Sequence, residues 1–85
     1  MSPRVTLYSR PGCHLCEDAR AVVEQVCVEM GAGGSEVDIT AGPDAGALTR
    51  RFGEEVPVTF VDGRQHDYWR VDPVRLRGAL THTRR

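Results

Sequence analysis

The sequence contains no lysine, no concentrated basic cluster and no apolar run long enough to cross a membrane. Its eleven cations are all arginines, and twelve acids balance them to a formal charge of −1. Because electrostatic binding of nucleic acid needs a concentrated basic face, we expect no nucleic-acid partner, and Arg84-Arg85 is expected to be a solvated tail. The N-terminal residues lack the apolar stretch of a signal peptide or anchor, so no membrane partner is expected.

Cysteine is scarce and odd in number, with three residues in a chain of 85. A secreted disulfide scaffold usually has an even number of cysteines, so a reducing, cytoplasmic compartment is expected. The length permits one small domain over residues 1–85 and excludes a two-half dinucleotide-binding fold or a (β/α)₈ barrel. A monomer is expected.

Hydrophobic periodicity and turn residues predict the order strand, helix, strand, helix, strand, strand, helix. The predicted strands cover residues 4–8, 36–39, 58–61 and 64–68, and the predicted helices cover 16–30, 43–52 and 73–82. In the first helix apolar residues recur at steps of three and four, and these are Ala19, Val22, Val23, Val26, Cys27 and Met30.

Turn and cap residues support this assignment. Gly31 is expected to end the first helix, Asp62-Gly63 predicts a two-residue hairpin, and Asp72 followed by Pro73 predicts the start of the last helix. The first two strands should be parallel and the last two antiparallel. The fold class is therefore α/β, a four-stranded mixed sheet with helices on both faces.

The chemistry is expected at Cys13-His14-Leu15-Cys16, a C-x-x-C between the first strand and the first helix. At a helix start, unpaired backbone N–H groups and the positive end of the helix dipole favour a thiolate. We assign Cys13, on the turn side, as the nucleophile and Cys16, one turn further, as the thiol that resolves a mixed disulfide. His14 either assists this thiolate as a cation or simply faces solvent.

Other uses of a C-x-x-C fit less well. A structural zinc site needs four ligands, and no second C-x-x-C or H-x-x-H follows. Haem attachment would need histidine where Glu17 stands. Cys27 lies on the apolar stripe and is expected to be a core residue. Trp69 either covers an end of the core or lines the substrate groove, and surface packing is the favoured role.

The chain resembles glutaredoxin-like members of the thioredoxin-fold family over nearly its whole length. The matching segments are 5–16, which ends in the cysteine pair, 37–39, and 56–63, which begins with Val56-Pro57. The resemblance implies a thioredoxin-like fold, a redox pair of Cys13 and Cys16, and a cis Pro57. A cis bond would direct the N–H and C=O of Val56 towards the cysteines as a template for an extended substrate.

The resemblance also implies a substrate site around the pair, with Arg10 placed to meet a thiolate or a carboxylate. The candidate substrate-binding residues are Arg10, Pro11, Gly12, His14, Val56 and Pro57. Three departures stand against glutathione binding. His14-Leu15 replaces Pro-Tyr, Glu55 replaces the threonine before Val-Pro and would repel carboxylates, and Trp69-Arg70 stands where a glycine pair is usual.

The expected function is a thiol–disulfide oxidoreductase that reduces disulfides of proteins or of small thiols. No bound organic cofactor or metal is expected, and the electrons would come from a small thiol or a flavoprotein reductase. The alternative is a non-catalytic module of the same fold that binds zinc, an iron–sulfur cluster or a partner protein.

Overall fold

The computed structural model describes residues 3–81 and contains the seven elements in the predicted order. The strands are β1 (Val5–Ser9), β2 (Gly34–Asp38), β3 (Val58–Val61) and β4 (Arg64–Tyr68), and the helices are α1 (His14–Met30), α2 (Ala45–Phe52) and α3 (Pro73–Thr81). His82 and the arginine tail lie outside the described residues. Within 3–81, no helix is both long and apolar enough to cross a membrane.

The four strands form one mixed sheet in the order β2-β1-β3-β4. β1 and β2 are parallel, whereas β1–β3 and β3–β4 are antiparallel. The predicted parallel first pair and final hairpin are therefore confirmed. At the hairpin turn Asp62 and Gly63 have φ values of 51° and 82°, as a turn that matches the twist of its strands requires.

Alternating side chains of the sheet enter two separate apolar clusters. The α1–α3 core lies on one side and contains Val5, Leu7, Ala19, Val23, Val26, Cys27, Val61, Val71, Leu76 and Leu80. The α2 core contains Cys16, Ile39, Phe52, Val56 and Val58. Helices therefore cover both faces of the sheet, as predicted, and the cysteine pair belongs to the α2 core.

Several predicted boundaries are wrong. β1 covers Val5–Ser9 rather than residues 4–8, α1 begins at His14 rather than residue 16, and β2 ends at Asp38 rather than residue 39. α2 begins at Ala45 rather than residue 43, because Asp44 occupies the N-cap position with φ −95° and ψ 6°. β2 begins at Gly34 rather than residue 36, because the parallel ladder already pairs Gly34 with Val5. A Cβ on Gly34 would lie 3.2 Å from the Cys27 Sγ, so a glycine lets this strand pack closely against α1.

The predicted helix ends agree better with the structure. Gly31 caps α1 in the left-handed conformation, with φ 64°. The Asp72 Oδ1 accepts a hydrogen bond from the Val74 N–H at 2.8 Å, which confirms Asp72 as the N-cap of α3. Met30, predicted on the buried stripe of α1, is instead 37% exposed, because it lies at the last position of the helix.

Candidate functional site

Cys13 is the N-cap residue of α1. Its backbone is extended, with φ −102° and ψ 111°, and its Sγ accepts a hydrogen bond from the Cys16 N–H at 3.2 Å. A helix start leaves such N–H groups without a backbone partner, and a negative sulfur at this position is stabilised by them. Cys13 is partly exposed, so the sulfur that caps the helix is also accessible from solvent.

Cys16 lies one turn further along α1 and is 1% exposed. Burial raises the pKa of its thiol to about 11, and the Cys13 side chain adds to the increase. Arg10 acts in the opposite direction, through a backbone hydrogen bond and its positive charge. Near neutral pH Cys16 is therefore a protonated thiol. The pair thus divides into an accessible sulfur at the helix start and a shielded thiol behind it.

The buried Cys16 thiol predicts a loss of stability at alkaline pH. An unfolded thiol ionises near pH 9, whereas folded Cys16 holds its proton to about pH 11. Between these values the unfolded chain binds fewer protons, so the free energy of unfolding falls as the pH rises. A shift of this size corresponds to a loss on the order of 2 kcal/mol.

Urea denaturation of the reduced protein at pH 8 and at pH 11 measures this loss. Cys16→Ala serves as the matched variant because it removes the titrating thiol and leaves the other groups in place. We expect the decrease in stability to be smaller in Cys16→Ala than in the parent chain. Equal decreases in the two proteins would show that Cys16 does not hold its proton in the folded state.

Residues 10–12 form the turn between β1 and α1. Pro11 and Gly12 are exposed, and Gly12 has φ 73°, a left-handed conformation that glycine adopts without steric cost. The Arg10 Nη1 donates a hydrogen bond to the Gly53 carbonyl oxygen at 3.2 Å. Arg10 therefore connects this turn to the end of α2, and the structure places its guanidinium on a backbone carbonyl rather than on a sulfur.

The two residues between the cysteines both face outward. The His14 side chain is 98% exposed, and its Nδ1 lies 3.7 Å from the Glu17 Oε2. The His14 side chain therefore faces solvent beside a carboxylate. Leu15 is 40% exposed, which is high for a large apolar residue. These side chains thus form part of the rim of the site.

The segment Val56–Pro57 lies against the cysteine pair. Its peptide bond is cis, as the resemblance implied, and Val56 packs in the α2 core with Cys16 and with the partly buried Cys13. The expected free N–H of Val56 is wrong: it donates to the Phe52 carbonyl at 3.0 Å. This N–H is used within the chain because the turn after α2 continues to residue 56.

Trp69 packs on the exposed side of the loop that precedes β3. Its N–H donates to the Pro57 carbonyl at 2.7 Å and to the Glu55 carbonyl at 3.3 Å. Its indole Nε1–H donates to the Glu54 carbonyl at 3.0 Å. The sequence did carry a signal, namely a bulky aromatic residue where the resemblance leads one to expect glycine.

Cys27 is separate from the pair. It is 7% exposed in the α1–α3 core, which confirms its prediction as a core residue, and burial raises the pKa of its thiol. Among residues 3–81, no group of three or more histidine, cysteine or acidic side chains is arranged to hold a metal ion.

The chain is similar over nearly its whole length to a protein family, to a curated protein and to a solved structure. A family model described as a glutaredoxin-like domain (DUF836) matches residues 4–81. An uncharacterized protein of Mycobacterium tuberculosis is 32% identical over 83 residues, which cover 95% of this chain and 86% of that protein. The X-ray structure of a structural genomics target from X. campestris is 33% identical, with a TM-score of 0.71, and the match covers 91% of this chain and 95% of the other.

A glutaredoxin shares the fold at lower identity. The holo form of glutaredoxin C1 from Populus tremula x tremuloides is 22% identical, with a TM-score of 0.62 over 93% of this chain and 84% of that one. At this identity the likeness shows a common architecture, which is the thioredoxin-like arrangement of the mixed sheet and helices.

Proposed function

Because the chain belongs to the glutaredoxin-like domain (DUF836) family, we propose that it is a thiol–disulfide oxidoreductase in which Cys13 and Cys16 alternate between dithiol and disulfide. One observation carries this proposal. The Cys13 Sγ is partly exposed at the N-cap of α1 and accepts the Cys16 N–H at 3.2 Å, while the Cys16 side chain is buried behind it.

In the first step the Cys13 thiolate attacks one sulfur of a substrate disulfide. The Cys13–substrate S–S bond forms, the substrate S–S bond breaks, and the departing sulfur leaves as a thiolate that takes a proton from water. The Cys16 N–H and the helix start stabilise the thiolate before the attack. Both are already in place in the folded chain, so stabilising the thiolate requires no movement of another group.

In the second step Cys16 attacks the Cys13 sulfur. Its proton ends on the second substrate thiol, which leaves as the Cys13–Cys16 disulfide forms, so the substrate gains two electrons that the pair loses. The Cys13 side chain helps to raise the Cys16 pKa. Once the Cys13 sulfur is in a mixed disulfide it carries no negative charge, and this contribution disappears. Cys16 therefore becomes a better nucleophile when it is needed.

The residues proposed to contact substrate surround this pair. They are Arg10, Pro11, Gly12, His14, Val56 and Pro57, with the Val56 carbonyl rather than its N–H as the backbone contact. The oxidised pair must be returned to the dithiol by a small thiol or a flavoprotein reductase, which fits a reducing compartment such as the cytoplasm. Residues 1–85 are proposed to act as a single monomeric domain without an organic cofactor.

A thiol count tests the proposal. The reduced protein has three cysteines, and excess bis(2-hydroxyethyl) disulfide should oxidise two of them, so that the protein thiol titre falls from three to one. Mass spectrometry should place the new disulfide between Cys13 and Cys16 and leave Cys27 as a free thiol. A titre that stays at three, or a disulfide that involves Cys27, would contradict the proposed reaction.

A further inference from the structure

Trp69 has an unusual backbone conformation beside the cysteine pair. Its φ of 65° lies in the left-handed region, which a bulky residue adopts at a cost in free energy. Three carbonyls hold it there, because its backbone N–H bonds to Pro57 and Glu55 and its indole N–H bonds to Glu54. The chain thus fixes the ring relative to the loop that contains Val56, which shares the α2 core with Cys16 and the partly buried Cys13.

The fixed ring forms a wall between two grooves. The first, of about 240 Å³, lies between Trp69 and α1, and its apolar lining includes Leu15, Val22 and Val71. The second, of about 420 Å³, lies between Trp69 and the end of α2. Leu15 lies between the two cysteines in the sequence, so the first groove includes one residue of the C-x-x-C segment.

The exposed surface of the site is more apolar than a small polar thiol would require. Trp69 is 51% exposed and Leu15 is 40% exposed, so an indole ring and an aliphatic side chain that line the same groove are both open to solvent. A large aromatic residue contributes most to recognition when a partner's apolar side chain covers it. These two side chains therefore favour a ligand that brings an apolar group to the sulfur.

The charges around the grooves give no net attraction for a small anionic thiol. In the first groove Asp18 stands with Arg70, and in the second two acids stand with two arginines. Backbone donors are also occupied, since the N–H groups of Val56 and Trp69 both bond to carbonyls of the chain. A ligand recognised mainly through carboxylates would find few free partners here.

We propose that Trp69 determines substrate choice, and that its indole and Leu15 receive an apolar side chain next to the disulfide of a polypeptide. This inference rests on the proposed function and narrows its substrate class to polypeptide disulfides. The substrate cysteine meets the Cys13 sulfur while the neighbouring apolar residue packs in the first groove. Trp69 is thus a specificity-determining residue, and the chemistry remains with the two cysteines.

Two blocked peptides provide the test, each as its symmetrical disulfide. One is acetyl-Gly-Phe-Cys-Gly-amide, and the other has serine in place of phenylalanine, so both are uncharged. Trp69→Gly removes the ring while glycine accepts φ 65°, and Trp69→Phe keeps an apolar ring. Val74→Ala is the matched control, because Val74 is 70% exposed on α3 and lines neither groove.

The rate constant for reduction of each peptide disulfide by the reduced protein is measured for every variant. We expect the parent chain and Val74→Ala to prefer the phenylalanine peptide by about tenfold, as one well-placed apolar contact allows. Trp69→Gly should lose most of this preference by slowing the phenylalanine peptide alone, and Trp69→Phe should keep part of it. Leu15→Ser, which leaves Trp69 in place, should also reduce the preference.

The outcomes separate this inference from the proposed function. If the parent chain reduces both peptides but Trp69→Gly keeps the full preference, or slows both peptides equally, Trp69 does not select the substrate and the inference is wrong. If the parent chain reduces neither peptide nor bis(2-hydroxyethyl) disulfide, the oxidoreductase function itself fails, and the assignment of Trp69 fails with it.

Discussion

Replacing Cys13 by serine is expected to lower the rate of disulfide reduction by roughly a thousandfold or more, because the attacking sulfur is lost. The remaining member of the pair cannot substitute for it. Cys16 is 1% exposed, and its pKa is raised to about 11. Burial, which is the main cause of the raised pKa, is unchanged by the substitution of Cys13, so Cys16 remains a shielded and mostly protonated thiol. Single-turnover reduction of bis(2-hydroxyethyl) disulfide measures the effect.

Two further variants serve as controls for this result. Cys16→Ser retains the attacking sulfur, so it should complete the first step and accumulate a mixed disulfide on Cys13, which mass spectrometry detects as an added mercaptoethanol group. Cys27→Ala should behave as the parent chain, because Cys27 lies in the α1–α3 core. Full activity of Cys13→Ser, or a loss of activity in Cys27→Ala with the fold intact, would assign the reaction to a different sulfur.

Replacing Phe52 by alanine is expected to have the largest effect on stability, a loss of about 3–5 kcal/mol. Phe52 is 2% exposed, and its ring centroid lies 4.9 Å from that of Tyr8 and 5.8 Å from that of Phe60. The Arg51 guanidinium lies 4.7 Å above the same ring. Domains of this length are stable by roughly 4–13 kcal/mol, so this cavity removes a large part of the total.

The same substitution should loosen the redox pair, since Phe52 and Cys16 share the α2 core. At pH 8 we expect iodoacetamide to label Cys16 faster in Phe52→Ala than in the parent chain, alongside a lower urea midpoint. Val28→Ala provides the surface comparison, because Val28 is 83% exposed, and it should change stability by less than about 0.5 kcal/mol. Similar losses for the two variants would mean that the α2 core does not depend on Phe52.

The element order and the position of the redox pair could be predicted because local patterns encode them. The alternation of β1, the three- and four-residue steps of α1, the Asp62-Gly63 turn and the Asp72 cap each depend on residues a few positions apart. Cys13 is a further example, because its place between the first strand and the first helix was enough to indicate a sulfur near a helix start.

Boundaries that depend on a neighbouring element were predicted less well. The sequence of β2 alternates only from residue 36, but its ladder begins at Gly34 because Val5 of β1 lies opposite. The sequence alone could not predict that Gly34 packs against Cys27. These residues lie in β2 and α1, which come together only when the sheet forms. Met30 shows the converse, an apolar residue that matches the stripe but is exposed at the last position of α1.

By itself, the sequence determined the fold class, the position of the cysteine pair and which cysteine comes first at the helix start, because these follow from short-range periodicity and turn residues. Only the tertiary structure decided that the Val56 N–H is occupied, that Arg10 bonds to Gly53, and that Trp69 stands over the loop before β3. The contacts of Arg10 and Trp69 join residues that are far apart along the chain. At Val56, the Phe52 carbonyl occupies the N–H group that a substrate would otherwise use. These contacts are fixed when β3 pairs with β1, a pairing between distant segments that no local pattern records.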